Sequence, residues 1–305
     1  MIAFIGGILD SFFEAIHEML VDLIIANLTG IFDSFNEEIN QTAERVTTNP
    51  MEWLAGSPGI TPWDMVSNVA FTATSTIMVI AGLILGFFIA LELIQMLVEK
   101  NNLADLDMVG VVIKWMIKSF IAITIVANTG IIIGAIFQLG QEAITGAAGN
   151  MVASIDLSGV DFIADLEAQF EELSIGRLVG LLLQIQVLRI IAPILGIAIM
   201  IITVGRMLEV MMYLVVAPIP LATMANQEYR AMGNNYLKNL LAVAFQGLLI
   251  LAVVAIMGTL IQNWIAGVGS ADAEVGLWQV FGYMILSIFA LVKSSSVSKS
   301  IFGAS

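Results

Sequence analysis

The chain has 305 residues, 59% hydrophobic and only 12% charged, with a mean hydropathy of +0.97, where a globular domain carries about 25% charge. Its net charge of −14, from 11 basic and 25 acidic residues, argues against the chain itself gripping nucleic-acid phosphates, which takes clustered Lys and Arg. The absence of cysteine and the single histidine, His17, exclude disulfides, thiolate metal sites and multi-histidine metal sites.

Residues 2–40 predict a helix with Ile5, Ile8, Phe12, Ile16, Met19 and Leu23 on one side and Asp10, Glu14, His17, Glu18 and Asp22 mostly opposite. An acidic polar face is not the kind that anionic lipid attracts. This amphipathic helix is therefore expected on the outer membrane face, between subunits, or folded onto the spans of its own chain. His17 reads as an ordinary polar-face residue. The segment Met1–Leu9 lacks a basic region and stops at Asp10, so it does not read as a signal peptide.

Thr47–Thr61 is a connector rich in turn formers, and Trp53 and Trp63 suit the headgroup level. Thr61 as N-cap and Pro62 at the first helical position open a span of about Asp64–Val98. After a short loop, Asn101–Asp107, Lys114 and Lys118 flank Trp115 one turn apart, placed to snorkel together to the inner interface. The second span runs on to about Gln141, with Gly130 and Gly134 as a small-xxx-small packing pair. The loop Glu142–Gly176 is acidic. It holds one more helix signal, Ser158 ahead of the stripe Ile163, Leu166, Phe170 and Leu173. Its acids do not form a calcium-loop pattern.

Arg177–Met224 is too long for one straight span and too short for two with a loop. It is read as a third span, about Ile175–Thr203, continuing as a bent or re-entrant helix to about Val216 and ended by Ala217-Pro218-Ile219-Pro220. Two full spans here are the alternative, but they would put Arg230 and Lys238 outside. The fourth and fifth spans cover about Tyr236–Trp264 and Leu277–Val292, joined by a tight turn at Gly267–Gly276, and a Ser-rich, mobile tail follows.

The expected fold is an all-α polytopic transmembrane bundle of about five spans, in three parts. Residues 1–60 form the extracytoplasmic helix and connector, 61–293 the membrane domain with its acidic outer loop at 142–176, and 294–305 a cytoplasmic tail. Lys100, Lys114, Lys118, Arg206, Arg230, Lys238, Lys293 and Lys299 flank one set of span ends, whereas the opposite connectors are acidic. The positive-inside rule then places the N-terminus outside and the C-terminus in the cytoplasm.

No nucleotide-binding, metalloprotease or nucleophile-elbow motif occurs, so no enzymatic role, catalytic residue, metal or cofactor is assigned. The candidates for function are intramembrane charges. Arg189 lies mid-span, where a charge is costly unless paired or hydrated. Glu92 or Glu209 is its candidate partner, and Arg189 lines either a pore or a subunit interface. Glu92, near the inner end of its span, reads as an interfacial carboxylate. Arg206 and Glu209, three apart on one helix, are expected to pair.

A further set of residues carries a resemblance. The bent helix closes with Ala217-Pro218-Ile219-Pro220-Leu221-Ala222, a short polar inside loop carries Tyr229-Arg230 and Gly233, and Tyr236 and Lys238 lead into Leu240–Leu251. This pattern, with the order of elements over about Trp63–Val292, resembles the TrbL-type polytopic inner-membrane subunit of conjugative type IV secretion systems. The chain departs from many relatives in having Asn235-Tyr236 where they place a tryptophan. The resemblance implies a non-enzymatic structural subunit of the DNA-transfer channel in a bacterial cytoplasmic membrane. It also implies a homo-oligomer, a ring of five at the base of the pilus or stalk. Its partners would be membrane lipid, the system's ATPases and its small membrane subunits, with DNA or protein passing without tight direct binding. Small residues on helix faces, Gly130, Gly134, Gly176 and Gly180, are compatible with such packing. A secondary transporter or ion channel using Arg189, Glu92 and Glu209 as a charged path is the competing reading.

Overall fold

Uninterrupted apolar runs leave the backbone no better option than the helix, which satisfies every internal N–H and C=O within one segment. The computed structural model describes residues 2–47, 62–98, 108–151, 160–267 and 273–304, and all of its regular structure is helical. The described helices are α1 (Ile2–Thr47), α2 (Pro62–Val98), α3 (Met108–Ala127), α4 (Thr129–Met151), α5 (Val160–Glu171), α6 (Ile175–Val216), α7 (Pro218–Thr223), α8 (Arg230–Gly267) and α9 (Ala273–Ile301). The connector with Trp53, the cap Thr61, the loop Asn101–Asp107 with Lys100, Ser158 and most of the turn after Gly267 lie outside the described residues.

Seven described helices are long and apolar enough to cross a membrane, against the five spans expected. Two differences account for this. First, α1 is a single rod of 46 residues. Its buried stripe is Val21, Ile24, Leu28, Ile31, Phe35 and Ile39, whereas Ile8, Phe12, Met19 and Leu23 of the expected apolar face are exposed. The expected apolar face is that of the first turns, but the longer, more strongly buried stripe begins only at Leu20. Second, the expected second span is two helices, α3 and α4, parted at Asn128. The interruption is one residue and not a loop: Asn128 N–H donates to the Thr124 carbonyl at 3.1 Å and Ile132 N–H to the Asn128 carbonyl at 3.0 Å, so helical bonding runs through it. Asn128 Nδ2 also donates to the Thr124 carbonyl, so its side chain competes with the backbone donor for the same acceptor.

The long apolar stretch before the Pro-x-Pro sequence forms one helix, α6, with Pro193 inside it. At 1.5 Å per residue it is about 63 Å long, roughly twice the ~30 Å hydrocarbon core. Pro218 occupies the first turn of α7, where its missing N–H costs nothing.

The chain divides into two compact units. The first comprises residues 1–45, 147–203 and 250–293. Its buried residues come from α1, α5 (Leu166, Phe170), α6 (Leu178, Ile185, Leu195, Ile199), α8 (Val254, Ile261) and α9 (Val280, Met284). It holds most of the acids, with Arg45, Arg177, Arg189 and Lys293 as its basic residues. The second comprises residues 46–146, 204–249 and 294–305. Its core joins Leu85 and Phe88 of α2, Val126 of α3, Phe137 of α4, Leu214 of α6, Leu221 of α7 and Leu240 of α8, with α2, α3 and α7 packed together.

The tail differs from expectation. Lys293–Ile301 continues α9, and Ser298 is buried, its Oγ donating to the Ala242 carbonyl at 2.5 Å. Phe302 packs on Phe245, and Gly303 ends the helix at φ 58°. Gly303 N–H bonds to Ser300 and Ala304 N–H to Lys299, the paired bonds of a Schellman cap. Ser294 and Ser298 are interior hydrogen-bonding groups here, although their residue type is also that of loops.

Candidate functional site

The second unit builds its polar centre around Glu92, near the end of α2. The residue is 3% exposed, and such a carboxylate persists only if its oxygens are filled. One oxygen accepts from Lys118 Nζ of α3 at 2.5 Å. The other accepts from Asn226 Nδ2 at 3.1 Å and from the Gln227 backbone N–H at 3.0 Å. Asn226, fully buried in the turn after α7, also donates to Gln95 Oε1 at 2.6 Å and accepts from the Glu228 N–H at 3.0 Å. Its side chain thus closes an Asx-type turn while bridging to α2. Trp115 Nε1 donates to the Ile89 carbonyl at 2.9 Å and ties α3 to the same part of α2. The network explains why Lys118 does not snorkel alongside Lys114: Lys114 is exposed, while Lys118 turns inward to Glu92.

Arg206 is 3% exposed and does not pair with Glu209. Its Nε donates to the Val243 carbonyl at 3.2 Å and its Nη2 to the Ala244 carbonyl at 3.1 Å, both on α8. Glu209 instead meets Lys299 of α9 at 3.4 Å. The i, i+3 spacing permits an Arg206–Glu209 pair, but burial turns the guanidinium toward carbonyls that its planar fork of donors can reach together. Gly247 makes room for it, since a Cβ there would lie 2.9 Å from the Arg206 guanidinium carbon.

The sequence pattern at the end of α6 forms one packed corner. Ala217 is fully buried, and Pro218 and Pro220 belong to α7. A Cβ on Gly233 would lie 2.8 Å from the Pro220 carbonyl oxygen, so only glycine lets α8 pass α7 at this distance. Tyr236 donates its hydroxyl to the Tyr213 carbonyl at 2.7 Å, with the two rings 5.8 Å apart. Lys238 Nζ reaches the Gly303 carbonyl at 3.5 Å, and Arg230 is exposed. Gly130, Gly176 and Gly180 have open space where a Cβ would stand, and Gly134 is half-buried. Gly140 in α4, like Gly233, does mark a close helix approach: a Cβ there would stand 2.9 Å from the Ala244 carbonyl oxygen. Nothing in the local sequence separates Gly140 from its neighbours; only the partner helix does.

In the first unit, Arg189 projects from α6 into a cavity of about 630 Å³ shared with α1. Its Nη1 donates to Asn27 Oδ1 at 3.0 Å. The candidate carboxylates Glu92 and Glu209 are engaged by Lys118 and Lys299 instead. The rim also carries Ser34, Gln41 and the pair Arg45–Glu38, at 3.1 Å. Pro193 lines the same wall. Lacking an N–H, it leaves the Arg189 carbonyl without its intrahelical donor. His17, also in this unit, has its Nε2 2.8 Å from the Leu173 carbonyl after α5; the carbonyl only accepts, so Nε2 carries the proton.

Long apolar rods with exposed hydrophobic faces and ionic groups gathered into internal networks define a multi-pass membrane protein. The model for the TrbL/VirB6 plasmid conjugal transfer like protein family matches residues 35–218. The chain belongs to this family and is a membrane component of conjugal transfer systems. No curated protein and no solved structure matches it. The matched range covers the networked part of α2, α3 and α6 with Glu92, Lys118, Arg189 and Arg206, and ends at Pro218, before most of the corner that carried the resemblance.

Proposed function

We propose that the chain is a non-enzymatic structural subunit of a conjugative type IV secretion channel, assembled as a homo-oligomer at the base of the translocation path or pilus stalk. Within the family already identified, the observation that supports this finer reading is an uncovered stripe on α6. Leu183, Val187, Ile190, Ile194, Ile197 and Ile201 are all exposed and recur at alternating spacings of four and three. That is the repeat of a helix seam made to meet another helix. Gly176 and Gly180 continue it in the same register with open space over each, as small residues do where membrane helices approach closely. A second copy of the chain is the partner we assign to this seam, and a ring of five the number that the resemblance suggests. The ATPases and small membrane subunits of the same system are its further partners. The N-terminus outside and the C-terminus in the cytoplasm remain the orientation that the basic residues support. The Arg189 cavity then forms a hydrated polar stretch beside the seam.

A mating assay tests the reading. In-frame deletion of the gene in its native donor should abolish transfer, with restoration by the gene in trans. Arg189→Ala should lower transfer while leaving the protein in the membrane, and Gly180→Leu should break up the purified oligomer. Unchanged transfer after deletion would remove the channel role and bring forward the transporter alternative. That alternative has to do without Glu92 and Glu209 as free path charges, because Lys118 and Lys299 hold them.

A further inference from the structure

A second cavity, of about 420 Å³, lies within the second unit between α3, the turn after α7 and the start of α8. Its polar lining is Lys118, Arg230 and Asn234. The rest of its wall is apolar, including Ile121, Ala122 and Ile125. No aspartate or glutamate lines it. The nearest carboxylate in the network, Glu92, has its oxygens filled by Lys118, Asn226 and the Gln227 N–H. Lys118 spends one of three donors on Glu92, and Arg230 forms no salt bridge among the described residues. The cavity lining therefore carries unspent cationic donors.

Its shape says more. Positions 118, 121, 122 and 125 share one face of α3, so the wall changes from ammonium to hydrocarbon over two turns, about 10 Å. A small anion would need only the polar end. An amphiphile with an anionic head uses both. We propose that this cavity binds an anionic phospholipid, with its phosphate between Lys118 and Arg230 and an acyl chain along Ile121, Ala122 and Ile125. Basic pockets between membrane helices on the cytoplasmic side are suited to such headgroups. The leaflet rests on the orientation proposed above; the site itself does not.

Full-length protein purified in non-ionic detergent would be tested by native mass spectrometry with phosphatidylglycerol and with phosphatidylcholine. Wild type should retain phosphatidylglycerol preferentially. Arg230→Gln, at an exposed position, should lower that retention about fivefold and leave phosphatidylcholine unchanged. Ile121→Trp, at a position 52% exposed, should lower it by filling the acyl track. Equal retention of the two lipids by wild type, or wild-type retention by both variants, would overturn the site. Displacement of bound lipid by equimolar inorganic phosphate would show a simple anion site, and displacement by a single-stranded oligonucleotide a nucleic-acid contact; either also overturns the lipid assignment. Because the readout uses purified protein, it is independent of the mating result.

Discussion

Glu92→Leu removes the group on which α2, α3 and the turn before α8 converge. The side chain is 3% exposed and is replaced by one of similar size, so lost packing contributes little. Three partners lose their acceptor. The Lys118 side chain is 37% exposed and its ammonium regains water, so its loss is held to about 1 kcal/mol, the scale of a solvent-screened ion pair. Asn226 Nδ2 keeps Gln95 as an acceptor, which limits that loss to about 1 kcal/mol. The Gln227 N–H gave its bond to a charged oxygen, worth about 1.5 kcal/mol. The sum is roughly 3–4 kcal/mol. Unfolding in mixed micelles, titrated with dodecyl sulfate and followed by tryptophan fluorescence, measures it. A double-mutant cycle with Lys118→Met should return a coupling of about 1 kcal/mol. A change below about 0.5 kcal/mol for Glu92→Leu, within the range of ordinary surface substitutions, would show that the network is incidental to the fold.

The glycines offer a paired contrast in the same assay. Gly140→Ala should cost about 1–3 kcal/mol, because the new methyl meets a backbone oxygen at 2.9 Å, while Gly130→Ala should be neutral or stabilising by up to about 1 kcal/mol. Arg206→Ala should destabilise by roughly 2–4 kcal/mol through lost packing and lost bonds to α8. Arg206→Met, which fills the same space without a charge, should recover much of that loss. Orientation is tested by cysteine at Ser174 and Ser300, both exposed, since the chain has no native thiol. An impermeant maleimide on intact cells should label Ser174→Cys and not Ser300→Cys, and the opposite pattern would reverse the proposed topology.

Membrane class, all-helical structure and the start of α2 at Pro62 follow from residue types alone, because a long apolar run has few ways to satisfy its backbone in lipid. The bounds of α6 were legible for the same reason, set by the apolar run and the prolines after it. The family could also be recognised from the order of elements. Charge pairing could not be read this way. Arg206 and Glu209 satisfy the helical spacing rule, yet each finds its partner on another helix, and Arg189 meets Asn27 across 162 positions of sequence. The tail looked mobile because serine is a turn former by composition, whereas Ser298 is held by a carbonyl on α8. Gly140, rather than Gly130, marks a close approach only because α8 passes there. Local sequence determines which segments become helices, since those bonds close within four residues. Where a buried polar group spends its bonds depends on which helices pack beside it, and only the tertiary structure decides that.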